Sequence, residues 1–354
     1  MADFLTLIIA YMVFFLLASY VILLGDSEYH RHGIIGKIRQ ATVQTAVFIL
    51  RICLPSQVQL RLSNLITHVF FTRNHYIQAV YVIILSGIFV VFLREIYPRA
   101  KEYNLSTIHV ISPFIGMVMN GLIFATCCWS DPGVIDRKNY EECSNVFTYD
   151  GVMYQEGVRC STCEFVKPAR SKHCAYCNHC VYRFDHHCSW INNCIGGRNV
   201  RYFLLLLFSI ATLTSQMSYI SGCVLREVAR ESGIWKAGYY GTDGQFHQVT
   251  SLIVFQHLFM QLPAVVFLMT SLSLLSILIT IFLFYHLYLL LTNQTTNERY
   301  KRSRVIGDVK MSSSQRSTKR RSRHRGGGAS WNSVDVSYNK GLVRNIWEVL
   351  YPPI

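Results

Sequence analysis

Between positions 160 and 194 the chain reads Cys160-x2-Cys163-x9-His173-Cys174-x2-Cys177-x2-Cys180, then Asp185-His186-His187-Cys188, then Cys194. Cys-x2-Cys spacing lets two thiolates from one tight turn reach the same tetrahedral ion, and two such pairs with adjoining histidines are a strong signal for zinc. Disulfide frameworks have no need of histidine, so the stretch belongs in a reducing compartment. It offers seven cysteines and four histidines: His173, His179, His186 and His187. Two closed four-ligand sites would consume eight of these eleven donors. Three groups remain, and a thiol that no metal has captured, beside a free imidazole, is what nucleophilic catalysis requires. Spacing alone does not say which three are free.

The elements that must hold this segment are apolar. Hydrophobic residues make up 51% of 354 positions, and charge is nearly absent from several long blocks. About 20 apolar residues span a bilayer as a helix, and five blocks qualify: Phe4–Leu24, Tyr76–Leu93, Ile108–Trp129, Tyr202–Val224 and Ser251–Leu291. The last is too long for one crossing, and Pro263 divides it into a short membrane-hugging helix and a span over Ala264–Leu291. The first lacks the basic flank of a signal peptide and reads as a retained span. Ala41–Leu54 is shorter and contains Arg51, which predicts an interfacial helix.

The fold class is therefore a polytopic α-helical membrane protein of about five spans. A cytosolic cysteine-rich zinc domain lies between spans 3 and 4. The expected units are an N-terminal span (1–24), a cytosolic loop with an interfacial helix (25–75) and spans 2 and 3 (76–129). The cysteine-rich domain follows (130–201), then spans 4 and 5 with a lumenal loop (202–291) and a partly disordered cytosolic tail (292–354). The formal charge of +14 concentrates beside the spans, as the positive-inside rule expects, so no nucleic-acid partner is called for. Arg31, Lys37, Arg39, Arg51, Arg61 and Arg73 follow the first span, and Lys319, Arg320, Arg321, Arg323 and Arg325 crowd the tail. These segments and the cysteine-rich domain share the cytosolic side, which leaves the N-terminus lumenal. The Asn104 sequon is lumenal too, but close to the membrane.

Residues 159–203 resemble the cysteine-rich domain of the DHHC-type protein S-acyltransferases almost position by position. The resemblance implies a first zinc site of Cys160, Cys163, His173 and Cys180, and a second of Cys174, Cys177, His187 and Cys194. It makes Cys188 the nucleophile, His186 its general base and Asp185 the partner of that base. His179 has no family role and is expected to be a solvated surface residue. Asp131-Pro132-Gly133 after the third span resembles the family's DPG motif, and Thr295-Thr296-Asn297-Glu298 after the last resembles its TTxE motif. Asn345, in Gly341-x3-Asn345-x3-Val349, is similar to the C-terminal motif that braces the catalytic domain. Ser189 replaces the proline common after the nucleophile, while Trp190 is retained. The extra N-terminal span resembles a minority branch of the family.

The activity so implied moves palmitoyl or another long acyl chain from acyl-CoA to protein cysteines through an acyl-enzyme. Residues two apart do not face each other on a helix, so His186 and Cys188 should sit in a turn or extended segment. Lys167, Arg170, Lys172 and Trp190 are the candidate contacts to the coenzyme. Both zinc sites are closed and structural, and membrane lipid and proteins with membrane-proximal cytosolic cysteines are the expected partners. Golgi or ER is the expected location, with the plasma membrane as a further possibility. The rival from another class is a membrane-anchored zinc scaffold or ubiquitin-ligase-like adaptor. A RING-type cross-brace ends in a further Cys-x2-Cys, which is missing after Cys194. Among the other cysteines, Cys53, Cys127, Cys128 and Cys223 fall in or near apolar segments as buried thiols, and Cys143 has no reading.

Overall fold

The computed structural model of the chain describes residues 33–240, 244–302 and 338–353, with isolated positions between 13 and 30. The basic run at 319–325 and all but a few positions of the expected first span lie outside these described residues. The chain divides into two compact units, Met1–Thr72 and Arg73–Ile354.

In the first unit, helices α1 (Ile34–Cys53) and α2 (Ser56–Phe71) flank Leu54 and Pro55. Leu54 is extended, with φ −111° and ψ 136°, as the residue before a proline prefers to be. Lys37, Gln40, Gln44 and Arg51 fall on one stripe of α1, and Gln57, Arg61, Asn64 and His68 on one stripe of α2. The remaining surface of both helices is largely apolar and exposed. The amphipathic helix expected from Ala41 is thus longer, starting at Ile34, and is joined by a second.

Among its described residues the second unit contains four helices long and apolar enough to cross a membrane. Helix α3 (Tyr76–Val91) continues through one π-turn (Phe92–Ile96) to Glu102. Helix α4 is Thr107–Trp129, and a short α5 (Tyr140–Val146) follows it. Two small hairpins then pair β1 (Lys172–Cys174) with β2 (His179–Val181) and β3 (His186–Cys188) with β4 (Asn193–Ile195). Helix α6 (Val200–Glu231) leads to the β5–β6 hairpin (Gly238–Tyr240 with Phe246–Gln248). Helix α7 (Ser251–Gln261) ends two residues before Pro263, which occupies the first turn of α8 (Pro263–Leu291), where a missing N–H costs nothing. Helix α9 (Leu342–Leu350) packs on α6 and α8. The chain is a polytopic helical membrane protein with its cysteine-rich segment between spans.

Helix α6 is the central span, packed on both α4 and α8. Phe92, Ile96, Leu213, Met217, Ile220, Val224, Val265 and Leu272 form its buried core at one end. Ile191, Ile195, Phe203, Leu207, Leu283, Leu290 and Val349 form the core at the other and join the spans to the cysteine-rich segment. Apolar burial drives little association inside lipid, so polar contacts matter there. Buried Asn120 accepts from Tyr81 Oη (2.7 Å) and donates to Ser209 Oγ (2.9 Å), linking α3, α4 and α6.

Candidate active site

The sulfur and nitrogen donors fall into two interleaved groups. Cys160, Cys163, His173 and Cys180 form one, and Cys174, Cys177, His187 and Cys194 the other; within each, the donor atoms lie within 4.8 Å of one another. His173 Nδ1 is 3.5, 3.4 and 3.9 Å from the sulfurs of Cys160, Cys163 and Cys180. His187 Nδ1 is 3.7, 3.4 and 3.7 Å from those of Cys174, Cys177 and Cys194. A tetrahedral ion with bonds of about 2.0–2.3 Å sets its ligands roughly 3.3–3.8 Å apart, so both groups fit a metal. The β1–β2 register explains the interleaving. His173 stands opposite Cys180 and belongs to the first group, while Cys174, its neighbour on the strand, belongs to the second. All twelve cysteines are free of disulfides.

The same alternation sorts Asp-His-His-Cys. Successive side chains of a strand point to opposite faces. On β3, His187 pairs with Cys194 and turns to the metal group, which places His186 and Cys188 together on the other face. Asp185 is buried, and its Oδ2 lies 2.6 Å from His186 Nδ1. The Asp185 carboxylate also accepts from the Thr296 N–H (2.5 Å) and hydroxyl (3.1 Å). Burial pulls the His186 pKa down, but its bonds to Asp185 and Cys188 outweigh that and push it up to about 10. Burial raises the Asp185 pKa, and the bonds from His186 and Thr296 more than offset this, leaving it below the ordinary carboxylate value.

Cys188 opens onto an apolar cavity of about 620 Å³ among α3, α4, α6 and α8, a size typical of ligand sites. Trp190 and Phe203 line it near the thiol, and Leu213, Met217 and Leu272 line it further along α6 and α8. From Phe203 to Met217 the helix rises roughly 21 Å. Beside the thiol, Asn193 donates to the carbonyls of Cys127, Cys128 and Ser130 at 2.8–3.4 Å, tying β4 to the end of α4. Gln78 on α3 donates to the Ile191 carbonyl (2.9 Å).

The motifs beside the membrane brace this arrangement. Asp131 accepts from the N–H groups of Gly133 and Val134 (both 2.9 Å), closing the turn after α4. Gly133, at φ +97°, presents its carbonyl to Tyr182 N–H at 2.8 Å. A Cβ on Gly196 would meet the Pro132 oxygen at 2.3 Å, so only glycine permits that approach. Glu298 takes two bonds from Arg170 (2.7 and 3.0 Å), and Arg170 also donates to Asn293 Oδ1 and O. Asn345 Nδ2 donates to the Leu291 carbonyl at the end of α8 (2.7 Å).

The expected coenzyme contacts separate. Arg170 is wholly buried, its guanidinium held between the rings of Phe147 (4.7 Å) and Tyr338 (4.4 Å). It binds Glu298 and presents nothing to solvent, so the exposed basic patch expected there lacks it. Lys167 and Lys172 instead line a surface cavity of about 270 Å³ with Lys301, Tyr149 and Tyr154. The Lys301 ammonium sits 3.9 Å over the Tyr154 ring; burial and then Lys172 lower its pKa. Nothing in the spacing marks Lys301, because the tertiary fold brings it there. His179 departs from the expected solvated residue: its ring is partly buried, and Nε2 is enclosed without a partner among the described residues. Cys143 lies in the core of the cysteine-rich module with Phe147 and Tyr182, and burial pushes its thiol up to about 11.

The model of the DHHC palmitoyltransferase family matches residues 154–303. The chain is 34% identical over 303 residues to palmitoyltransferase ZDHHC4 of Bos taurus, covering 86% of each chain. It is 32% identical to palmitoyltransferase ZDHHC4 of Mus musculus, over 84% of this chain and 85% of the relative. It is also similar to palmitoyltransferase swf1 of Schizosaccharomyces pombe, at 28% identity over 54% of each chain. With the Asp-His-His-Cys strand, the paired metal clusters and the four spans already in place, the chain belongs to the DHHC palmitoyltransferase family.

Proposed function

We propose that this protein transfers palmitoyl or another long acyl chain from acyl-CoA to protein cysteine thiols, through an acyl-enzyme on Cys188. The observation that carries the reading is the position of Cys188. It shares a strand face with an Asp185-bonded His186 and lies at the lining of an apolar cavity among the spans.

The Cys188 sulfur gives its proton to His186 and attacks the thioester carbonyl; the bond to the coenzyme sulfur breaks, and His186 returns the proton to that sulfur. In the second half a substrate thiol gives its proton to His186 and attacks the acyl-enzyme; the bond to the Cys188 sulfur breaks, and His186 returns the proton to that sulfur. Asp185 holds the imidazole tautomer and stabilises the charged ring, and Thr296 holds Asp185. The raised pKa of His186 favours taking up the proton that the attacking thiol gives up in each half. Each methylene buried in the cavity contributes about 0.8 kcal/mol, which favours long chains over short ones. Lys167, Lys172 and Lys301 would face the coenzyme phosphates, and Trp190 the thioester end of the chain.

Zinc is the ion for the two Cys3His groups and, when bound, supplies structure, because four protein donors leave no place for water. The basic loops favour a cytosolic cysteine-rich module and a lumenal N-terminus, and the membrane proposed is that of the Golgi, the ER or the cell surface. Incubating the purified protein with labelled palmitoyl-CoA tests the reading. Hydroxylamine-labile label should appear on wild type and be absent from Cys188→Ser; equal labelling of both would overturn it.

A further inference from the structure

A second polar cavity, of about 340 Å³, is lined by Asp131, Arg198, Arg201, Tyr202, Tyr351 and Pro352. It lies at the level where two spans end. Asp131 stands two residues beyond the last residue of α4, and Arg201 is the second residue of α6.

The charges there do not cancel. The carboxylate of Asp131 is committed to the N–H groups of Gly133 and Val134 and to Arg198 Nη1, at 2.7 Å. Among the described residues that pairing leaves Arg201 as the surplus cation of the lining. Its Nη1 donates to the Leu350 carbonyl (3.2 Å) and its guanidinium lies over the Tyr202 ring (4.9 Å). Its Nε is buried and has no hydrogen-bond partner among the described residues. An enclosed, charged N–H without an acceptor is costly, and an arginine fork matches the oxygens of a phosphate group.

The surroundings identify which phosphate. Helix α9 buries Asn345 and Val349 and exposes Leu342, Val343 and Trp347, which with Tyr351 just past its end make an apolar and aromatic face beside exposed Arg344. Trp347 and Tyr351 pack together at 4.5 Å, and Trp129 at the end of α4 is 84% exposed. Tryptophan and tyrosine collected at the ends of spans mark the level of lipid headgroups, and an amphipathic helix there lies in the bilayer surface. We propose that the cavity binds the phosphate of a membrane phospholipid headgroup, with Arg201 as its principal donor, while the exposed face of α9 sits in the acyl–headgroup boundary beside it. This site is separate from the cavity at Cys188, with which it shares no lining residue.

Full-length protein purified in a phosphate-free detergent provides the test. Added phosphatidylcholine or phosphatidylserine in mixed micelles should raise the Tm of wild type by several degrees, as binding to the native state must. Arg201→Gln should lose at least half of that gain, and Arg201→Lys, which keeps the charge without the fork, should lose less. Native mass spectrometry should find one fewer retained phospholipid on Arg201→Gln. Inorganic phosphate at equal phosphate concentration should give no comparable shift. Trp347→Ala removes an exposed side chain and should fold; it should weaken the lipid response, which covers the case in which Arg201→Gln does not fold. Undiminished lipid gain and retention in both Arg201→Gln and Trp347→Ala would overturn the proposal. So would an Arg201-dependent shift produced by coenzyme A or inorganic phosphate and not by phospholipid.

Discussion

The cysteine-rich module and the spans that carry it are organised by opposite rules. In the module, position is set by short contacts. Donor atoms crowd within 4.8 Å, strands are three residues long, and Gly196 sits where no side chain fits. Strands this short add little apolar burial of their own, and the two donor groups that fit a metal tie them together. Among the spans, position is set by packing and by a few polar bridges such as Tyr81–Asn120–Ser209, and the interior keeps a 620 Å³ space. The chemistry proposed for Cys188 lies where the rigid part meets the open one. Removing a metal donor of the module should therefore act on everything at once, and a change in the cavity only on the choice of acyl chain.

The largest effect is expected from the module. His187→Ala removes one of four donors from a group that fits a metal, so folding and activity should fail together. Zinc analysis should show reduced stoichiometry, and limited proteolysis should cut the module faster than in wild type. Full zinc with full activity would mean that the rule separating the two regions is wrong.

His186→Ala sharpens the contrast, because it changes the neighbouring residue on the opposite strand face. Zinc content should stay at the wild-type level while acyl-enzyme formation slows by about 10²–10⁴-fold. Raising the pH should restore part of the rate, since a free thiol ionises unaided at about pH 8.5. The stability profile should change as well. The His186 pKa lies at about 10, above its ordinary 6.5, so its bonds contribute fully below about 6.5 and are lost as pH rises through about 10. The mutant should lack that alkaline limb in pH-dependent melting. Loss of zinc from His186→Ala would reverse the assignment of the two histidines.

Thr296→Val should have a smaller effect of the same kind. It deletes the hydroxyl bond to Asp185 (3.1 Å) and keeps the shorter N–H bond. A neutral-to-charged hydrogen bond is worth about 1.5–3 kcal/mol, so a rate loss of roughly tenfold to a hundredfold is expected, with zinc unchanged.

The smallest and most selective effect belongs to the spans. Met217→Trp should fill the part of the cavity farthest along α6 from Phe203. Displacing about two methylenes costs about 1.6 kcal/mol, or roughly tenfold, against the longest acyl-CoA substrates and little against shorter ones. A uniform loss across chain lengths would show that the cavity acts like the module.

How far the sequence could be read follows the same division. Cys-x2-Cys spacing announced the metal groups, but their partition into two sets of four came from the resemblance to a family. The physical reason is visible in β1 and β3, where side-chain alternation sends His173 and Cys174, or His186 and His187, to different places. Strands of three residues leave no periodic signal from which to foresee this. Arg170 looked like part of a surface patch because its neighbours Lys167 and Lys172 are basic. Its burial depends on Glu298 and Tyr338, more than a hundred positions away. Lys301 was missed for the same reason. The apolar spans were legible because membrane crossing writes itself in consecutive residues, and Pro263 marked the break before α8.

The central claim is that Cys188 alone carries the acyl group while metal-bound cysteines carry none. Its most direct test is peptide mapping by mass spectrometry of the purified enzyme after a short exposure to palmitoyl-CoA, with zinc measured on the same samples. The account predicts one palmitoyl thioester, on the peptide containing Cys188, and full zinc in both wild type and an unmodified Cys188→Ser. A thioester mapped to Cys174, Cys177 or Cys194, or a Cys188→Ser protein that loses zinc, would contradict it.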